Sequence, residues 1–253
     1  MSKIKGMRKI YLLFSLTFFA IKIYSQPTYY PFPTDSAEWH VKLTCQQPFC
    51  TAQLYSPYQT HQNGDSLING KVYHKMYDII SSQLYCFYRE ASKKIYAKYP
   101  LGGVFGTDTT EFVLYNFNLN IGDTFAVKVP SGWIGGPMPT QPKIVLTTTN
   151  TANAYPWLNL PNSTTRKVYL FSSNIICTSA NLIWVEGIGN YSGFFYNMHF
   201  WAWASCLSPP APNNITLTCF LKNGNIIYSN GCTITNVSNK KVADITIYPN
   251  PTK

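Results

Sequence analysis

The chain contains seven cysteines, the side chains with the widest range of possible chemistry: Cys45, Cys50, Cys86, Cys177, Cys206, Cys219 and Cys232. No two of them form a Cys-x-x-Cys pair, and no histidine lies at ligand spacing from one, so the sequence predicts no metal site and no cofactor. The odd number leaves at least one thiol without a partner in the chain. The preferred disulfide joins Cys219 to Cys232 across a short hairpin, and Cys45 with Cys50 is the second candidate.

Two carboxylates, Asp123 and Glu186, are the candidates for acid and base chemistry. Asp123 lies in a Gly-Asp-Thr turn, where an aspartate ordinarily accepts hydrogen bonds from nearby backbone amides. Glu186 is followed by Gly187, which suits a bend in the chain. The four histidines are far apart, and neither a metal-hydrolase motif nor a nucleophile elbow occurs. A non-catalytic protein is therefore favoured, with no catalytic residue assigned.

The densest aromatic segment, residues 194–203, is the candidate ligand-binding site. In an extended conformation its alternate residues Phe195, His199, Trp201 and Trp203 lie on one face. Sugars stack on exposed ring platforms, whereas buried rings belong to a β core. Both interpretations remain open.

The N-terminus has the pattern of a cleavable signal peptide covering residues 1–25. Four basic residues among the first nine precede the apolar run Ile10–Ala20, which is too short to span a bilayer. Ser25 before Gln26 is a suitable cleavage point. An N-terminal membrane anchor is the alternative. Export predicts an oxidising compartment, in which disulfides form.

The composition favours a β protein that works outside the cytoplasm. Only 12% of residues are charged, whereas 16% are aromatic. Removal of residues 1–25 halves the net charge from +10 to +5, so much of the basicity belongs to the targeting segment. The remaining basic residues are scattered along the sequence, which argues against a partner with a phosphate backbone, such as a nucleic acid.

Period-two patterns predict an antiparallel sheet. The clearest one places Val113, Tyr115, Phe117 and Leu119 on one apolar face, before a turn at 120–123 and a strand containing Phe125 and Val127. Hairpins are predicted for residues 84–99, with a turn at 90–94, and for residues 217–228, with an Asn-Gly turn. Further strand candidates are 71–80, which also fits a helical face, 143–149, 167–171 and 182–185.

These elements predict a mainly β fold with one strongly curved antiparallel sheet, closed into a half-barrel or barrel. A two-sheet sandwich is the alternative. A single β-rich domain is expected over residues 26–235.

The C-terminal segment 244–253 resembles the opening of the C-terminal sorting domain of type IX (Por) secretion substrates. The resemblance is carried by Tyr248, Pro249, Asn250 and Pro251. It implies a linker at 236–243, a sorting domain that begins at residue 244, and secretion machinery of the outer membrane as a partner. The family's sorting domain continues for several tens of residues, so this one is truncated at Lys253.

The body of the chain resembles a group of uncharacterised exported proteins from the bacterial lineage that has type IX secretion. The matching motifs are Gly64–Tyr73, Tyr88–Glu90, Lys94–Tyr96, Phe112–Phe117, Gly122–Phe125 and Trp184–Gly189. The resemblance implies a shared fold and export. We therefore expect a secreted or surface-attached protein that binds an extracellular glycan, lipid or protein. A secreted hydrolase or carbohydrate-active module and a lipid-binding half-barrel are the alternatives.

Overall fold

A computed structural model describes residues 28–44, 59–78, 81–102, 109–128, 143–155, 158, 160, 165–173, 182–191, 193–194 and 214–232. They form two antiparallel sheets and one short 3-10 helix, Ala152–Ala154. The chain is mainly β, as predicted. The predicted signal peptide, the linker at 236–243 and the sorting motif lie outside the described residues.

The larger sheet has eight strands: β1 Ala37–Thr44, β2 Gln59–Ile68, β3 Lys71–Asp78, β4 Leu84–Ala91, β5 Lys94–Lys98, β6 Phe112–Asn116, β12 Asn214–Lys222 and β13 Asn225–Ser229. Their order across the sheet is β13-β12-β1-β2-β3-β4-β5-β6. The last hairpin in the described chain, β12 and β13, therefore pairs with the first strand, β1. Strands from the two ends of the described chain are neighbours in this sheet.

The smaller sheet has five strands: β7 Thr124–Ala126, β8 Lys143–Thr151, β9 Lys167–Ser173, β10 Leu182–Val185 and β11 Gly189–Asn190. Their order is β11-β10-β9-β8-β7, and the sheet curls strongly into a half-barrel. The predicted curvature is thus confirmed.

Three hairpins turn on two residues with positive φ, the backbone conformation of a type I′ turn. Asn223 and Gly224 form the predicted Asn-Gly turn between β12 and β13, and Asn69 and Gly70 form an equivalent turn between β2 and β3. The third turn is shorter than predicted, because β4 and β5 pair up to Ala91 and Lys94 and leave only residues 92 and 93 between them.

The segment predicted as one alternating strand, 111–119, departs from the prediction in two ways. Tyr115 and its neighbour Leu114 are both buried, because the register with β5 shifts and inserts an extra residue into β6. Phe117 lies in the turn that follows β6. From there the chain crosses to the other sheet, since β7 pairs with β8.

Both sheets pack on one shared core, which contains residues from Phe32 to Tyr228. Buried polar aromatics connect the two sheets by hydrogen bonds. Trp39 of β1 donates to the backbone oxygen of Ile188 at 2.8 Å, and Tyr169 of β9 donates to that of Phe117 at 2.9 Å. These bonds satisfy loop carbonyls that would otherwise be buried without a partner.

Candidate functional site

The predicted aromatic site falls mainly outside the described residues, which exclude Phe195, His199, Trp201 and Trp203. The first ring of that segment, Phe194, is only 2% exposed. Its centroid lies 5.0 Å from that of Trp39 and 5.2 Å from that of Tyr88. The segment therefore begins in the core, and its use as a binding platform stays a prediction.

The preferred disulfide is present: Cys219 and Cys232 are bonded, with their Cα atoms 5.2 Å apart. Cys45 and Cys50, the second candidate pair, lie outside the described residues. Cys86 is a free thiol buried in the core, where burial raises its pKa well above the usual range. A thiol in this environment is inert.

The two carboxylates considered for acid and base chemistry each have a structural role. Asp123 accepts a hydrogen bond from the backbone N–H of Asn120 at 2.8 Å and so closes its own turn. Glu186 is 3% exposed and accepts a hydrogen bond from the Tyr169 hydroxyl at 3.1 Å. Burial raises the pKa of Glu186.

Residues 28–36, which precede β1, cover the region around Glu186. Glu90 accepts a hydrogen bond from the backbone N–H of Phe32 at 2.8 Å, and the Tyr88 hydroxyl donates to the backbone oxygen of Pro33 at 2.8 Å. Arg166 lies 4.2 Å from the centroid of the Tyr30 ring. Glu90 therefore holds a covering segment in place together with Tyr88 and Arg166, an arrangement that suits structure better than catalysis.

The strongest candidate site is the outer face of β3, β4 and β5. Successive strand residues point to opposite sides of a sheet. The core side carries buried Met76, Cys86, Tyr88, Ile95 and Ala97. The opposite side carries Lys71, Tyr73, Lys75, Phe87, Arg89, Lys94, Tyr96 and Lys98, a set that we name the Lys–Tyr face.

Arg89 and Glu111 occupy the centre of the Lys–Tyr face. Arg89 donates two hydrogen bonds to the Glu111 carboxylate, at 2.7 Å from Nε and 2.9 Å from Nη2, and the Tyr73 hydroxyl donates to the same carboxylate. The Arg89 guanidinium also lies 4.1 Å from the centroid of the Tyr96 ring. The hydrogen bonds from Arg89 lower the pKa of Glu111 to about 2, so this pair is charged and locally balanced at neutral pH.

Lysines lie on both sides of this central pair. Lys75 and Lys98 both flank Phe87 in the cross-strand register, while Lys71 and Lys94 lie at the hairpin ends of β3 and β5. The Nζ atom of Lys71 lies 3.4 Å from Oε2 of Glu111. No described carboxylate forms an ion pair with the other three lysines.

Sequence reasoning missed the Lys–Tyr face because it treated the basic residues as scattered. The signal is a repeated pattern: both Lys71–Lys75 and Lys94–Lys98 read Lys-x-Tyr-x-Lys. The period of two places all three side chains of each strand on one face. Pairing of β3 and β5 with β4 then brings together lysines that are about 20 positions apart in sequence.

Comparison with known proteins returned no matching family model, no matching curated protein and no matching solved structure. Across the described ranges, no cluster of three or more His, Cys, Asp or Glu residues has the geometry to hold a metal ion. The same ranges contain no helix long and apolar enough to cross a membrane.

Proposed function

We propose that this chain is a secreted or cell-surface protein, exported by a type IX-like route, that binds an extracellular partner without catalysing a reaction. The supporting observation is the Lys–Tyr face, where the lysines of two Lys-x-Tyr-x-Lys strands share one side of a sheet with the half-buried rings of Phe87 and Tyr96. Charged and aromatic side chains gathered on a rigid surface are typical of binding sites.

The alternatives have less support from the described residues. A hydrolase needs a carboxylate that reaches its substrate, whereas Glu186 is buried and Asp123 closes a turn. A lipid-binding half-barrel needs an open interior. Trp184 of the curled sheet instead packs against Phe171 at 4.3 Å and Phe125 at 5.1 Å between ring centroids.

Binding is tested with the chain from Gln26 onward, added to intact cells and to insoluble extracellular material of a bacterium that has a type IX system. We expect retention on one of these fractions. The variant Lys75→Gln/Lys98→Gln should be retained less, while Lys143→Gln/Lys222→Gln removes two lysines away from the Lys–Tyr face and should be retained like the parent. Equal loss for both variants would argue against this face as the binding site.

Export is tested separately by expressing residues 1–253 in the same host. We expect a mature N-terminus near Gln26, determined by mass spectrometry, on protein recovered outside the cytoplasm. A cytoplasmic protein that retains Met1 would contradict the proposed route, without bearing on what the Lys–Tyr face binds.

A further inference from the structure

We infer that the Lys–Tyr face binds an acidic polysaccharide, with a sugar ring against the half-buried ring of Phe87 and carboxylates of neighbouring sugars against Lys75, Lys98 and Lys94. This inference rests on the proposed binding function and names its ligand class.

The charge distribution of the Lys–Tyr face selects an anionic ligand. It carries five cations, Lys71, Lys75, Arg89, Lys94 and Lys98, and the described carboxylate that forms ion pairs with them is Glu111. Glu111 is already engaged by Arg89 and Tyr73, so it neutralises the centre and leaves the edges positive. Lys71 also contacts Glu111, at 3.4 Å, so the uncompensated charge lies on Lys75 and Lys98 at one side and on Lys94 at the other.

The spacing of the lysine pairs follows from strand geometry. Four residues along a strand span about 13 Å, and two strand intervals span about 10 Å. Lys71 and Lys94 therefore lie roughly 13 Å from Lys75 and Lys98 along the strands. Tyr96 lies between the two pairs, opposite Arg89, whereas Phe87 lies within one pair, between Lys75 and Lys98.

This pattern fits an acidic polysaccharide better than a nucleic acid. A phosphate backbone carries a charge at every unit and is followed by a continuous run of cations. Here the centre is aromatic and electrically balanced, and the positive charge is confined to its two sides. A sugar ring has an apolar face that packs on an aromatic ring, while its acidic neighbours extend to either side.

The experiment measures binding of the chain from Gln26 onward to polygalacturonate. The same polymer with its carboxylates methyl-esterified is the control, because it keeps the backbone and removes the charge. We expect binding to polygalacturonate that weakens with added salt, and at least tenfold weaker binding to the ester. Single-stranded DNA and vesicles containing phosphatidylglycerol test the other anionic partners.

Variants then assign the interaction to the Lys–Tyr face. Lys75→Gln/Lys98→Gln should weaken binding roughly five- to tenfold, and Phe87→Leu should weaken it while leaving its salt dependence unchanged. Lys143→Gln/Lys222→Gln should bind like the parent, and circular dichroism checks that every variant is folded.

Equal binding to the esterified polymer, or tighter binding to DNA or vesicles, would overturn the acidic polysaccharide. Either result would leave the proposed binding function intact. The proposed binding function would be contradicted by a different result, namely equal retention of the parent and the Lys–Tyr face variants on cells and extracellular material.

Discussion

At the scale of single residues, Glu111 has the most distinctive environment on the Lys–Tyr face. It precedes β6 and accepts hydrogen bonds from Arg89 of β4 and Tyr73 of β3. A bidentate pair between an arginine and a carboxylate is stronger and more directional than an ordinary surface ion pair. Glu111 therefore fixes the orientation of the Arg89 guanidinium, which in turn packs over Tyr96.

Replacement of Glu111 by glutamine should make stability less sensitive to acid. The pKa of Glu111 is lowered to about 2 by its hydrogen bonds with Arg89. A lowered pKa stabilises the fold above the pKa of the unfolded state, about 4.3, and this contribution is lost as the pH falls toward 2. We expect Glu111→Gln to lower the free energy of unfolding by about 2 kcal/mol at pH 7.

Urea unfolding at a series of pH values checks this expectation. The difference between the parent and Glu111→Gln should shrink as the pH falls from about 5 to about 2. Asp35→Asn, which removes an exposed carboxylate, is the control and should show little difference throughout. A difference for Glu111→Gln that does not change with pH would show that the charge of Glu111 does not stabilise the fold.

At the scale of secondary-structure elements, local sequence predicted which segments form hairpins more accurately than it predicted where the turns begin and end. The Asn223-Gly224 turn was predicted because both residues tolerate positive φ. The turn between β4 and β5 was predicted to be longer than it is. Ser92 and Lys93 both adopt positive φ, but serine and lysine seldom indicate a two-residue turn of this kind. The Lys–Tyr face was missed for a related reason, since it depends on which strands pair.

The disulfide between Cys219 and Cys232 should stabilise the last hairpin. The two cysteines are 13 residues apart, and closure of a loop of this length contributes about 3 kcal/mol through the unfolded state. Cys219→Ser and the double variant Cys219→Ser/Cys232→Ser should therefore both unfold at lower urea concentration than the parent.

The two variants also control for each other. Once the bond is lost, removal of the second sulfur should cost little more, so their free energies of unfolding should agree to within about 0.5 kcal/mol. Peptide mapping without reduction should recover the two cysteines in one linked peptide pair. Separate peptides for Cys219 and Cys232 would contradict the assignment.

At the scale of the whole molecule, the sequence predicted curvature but did not divide the strands between two sheets. Apolar alternation marks a strand without identifying its neighbour. β6 and β7 are adjacent in sequence and lie in different sheets, while β1 pairs with β12 more than 160 positions away. These pairings depend on packing in the shared core.

Close packing between the sheets makes Gly189 sensitive to substitution. Its φ is +96°, and an added Cβ would lie 3.0 Å from Cε2 of Tyr115 and 3.1 Å from Cζ of Phe32. Gly189→Ala should therefore destabilise the protein by about 2–3 kcal/mol through both strain and overpacking. Gly224→Ala is the matched control, since its φ is +74° with no atom within 4 Å, and it should cost about 1 kcal/mol. Equal decreases in the free energy of unfolding for the two variants, measured by heat or urea, would show that contact with Tyr115 and Phe32 does not add to the destabilisation.

A shared core also predicts that the two sheets unfold together. The Tyr115 hydroxyl, from the eight-stranded sheet, donates to the backbone oxygen of Phe194 and accepts from the backbone N–H of Asn190 at 3.1 Å. Tyr115→Phe leaves both backbone groups buried without this partner, which should cost about 1–3 kcal/mol. Far-ultraviolet circular dichroism reports the strands and tryptophan fluorescence reports the core around Trp39 and Trp184, so their urea transitions should coincide in the parent and shift together in the variant. Two separated transitions, with only one of them moved by Tyr115→Phe, would show that each sheet is stable without the other.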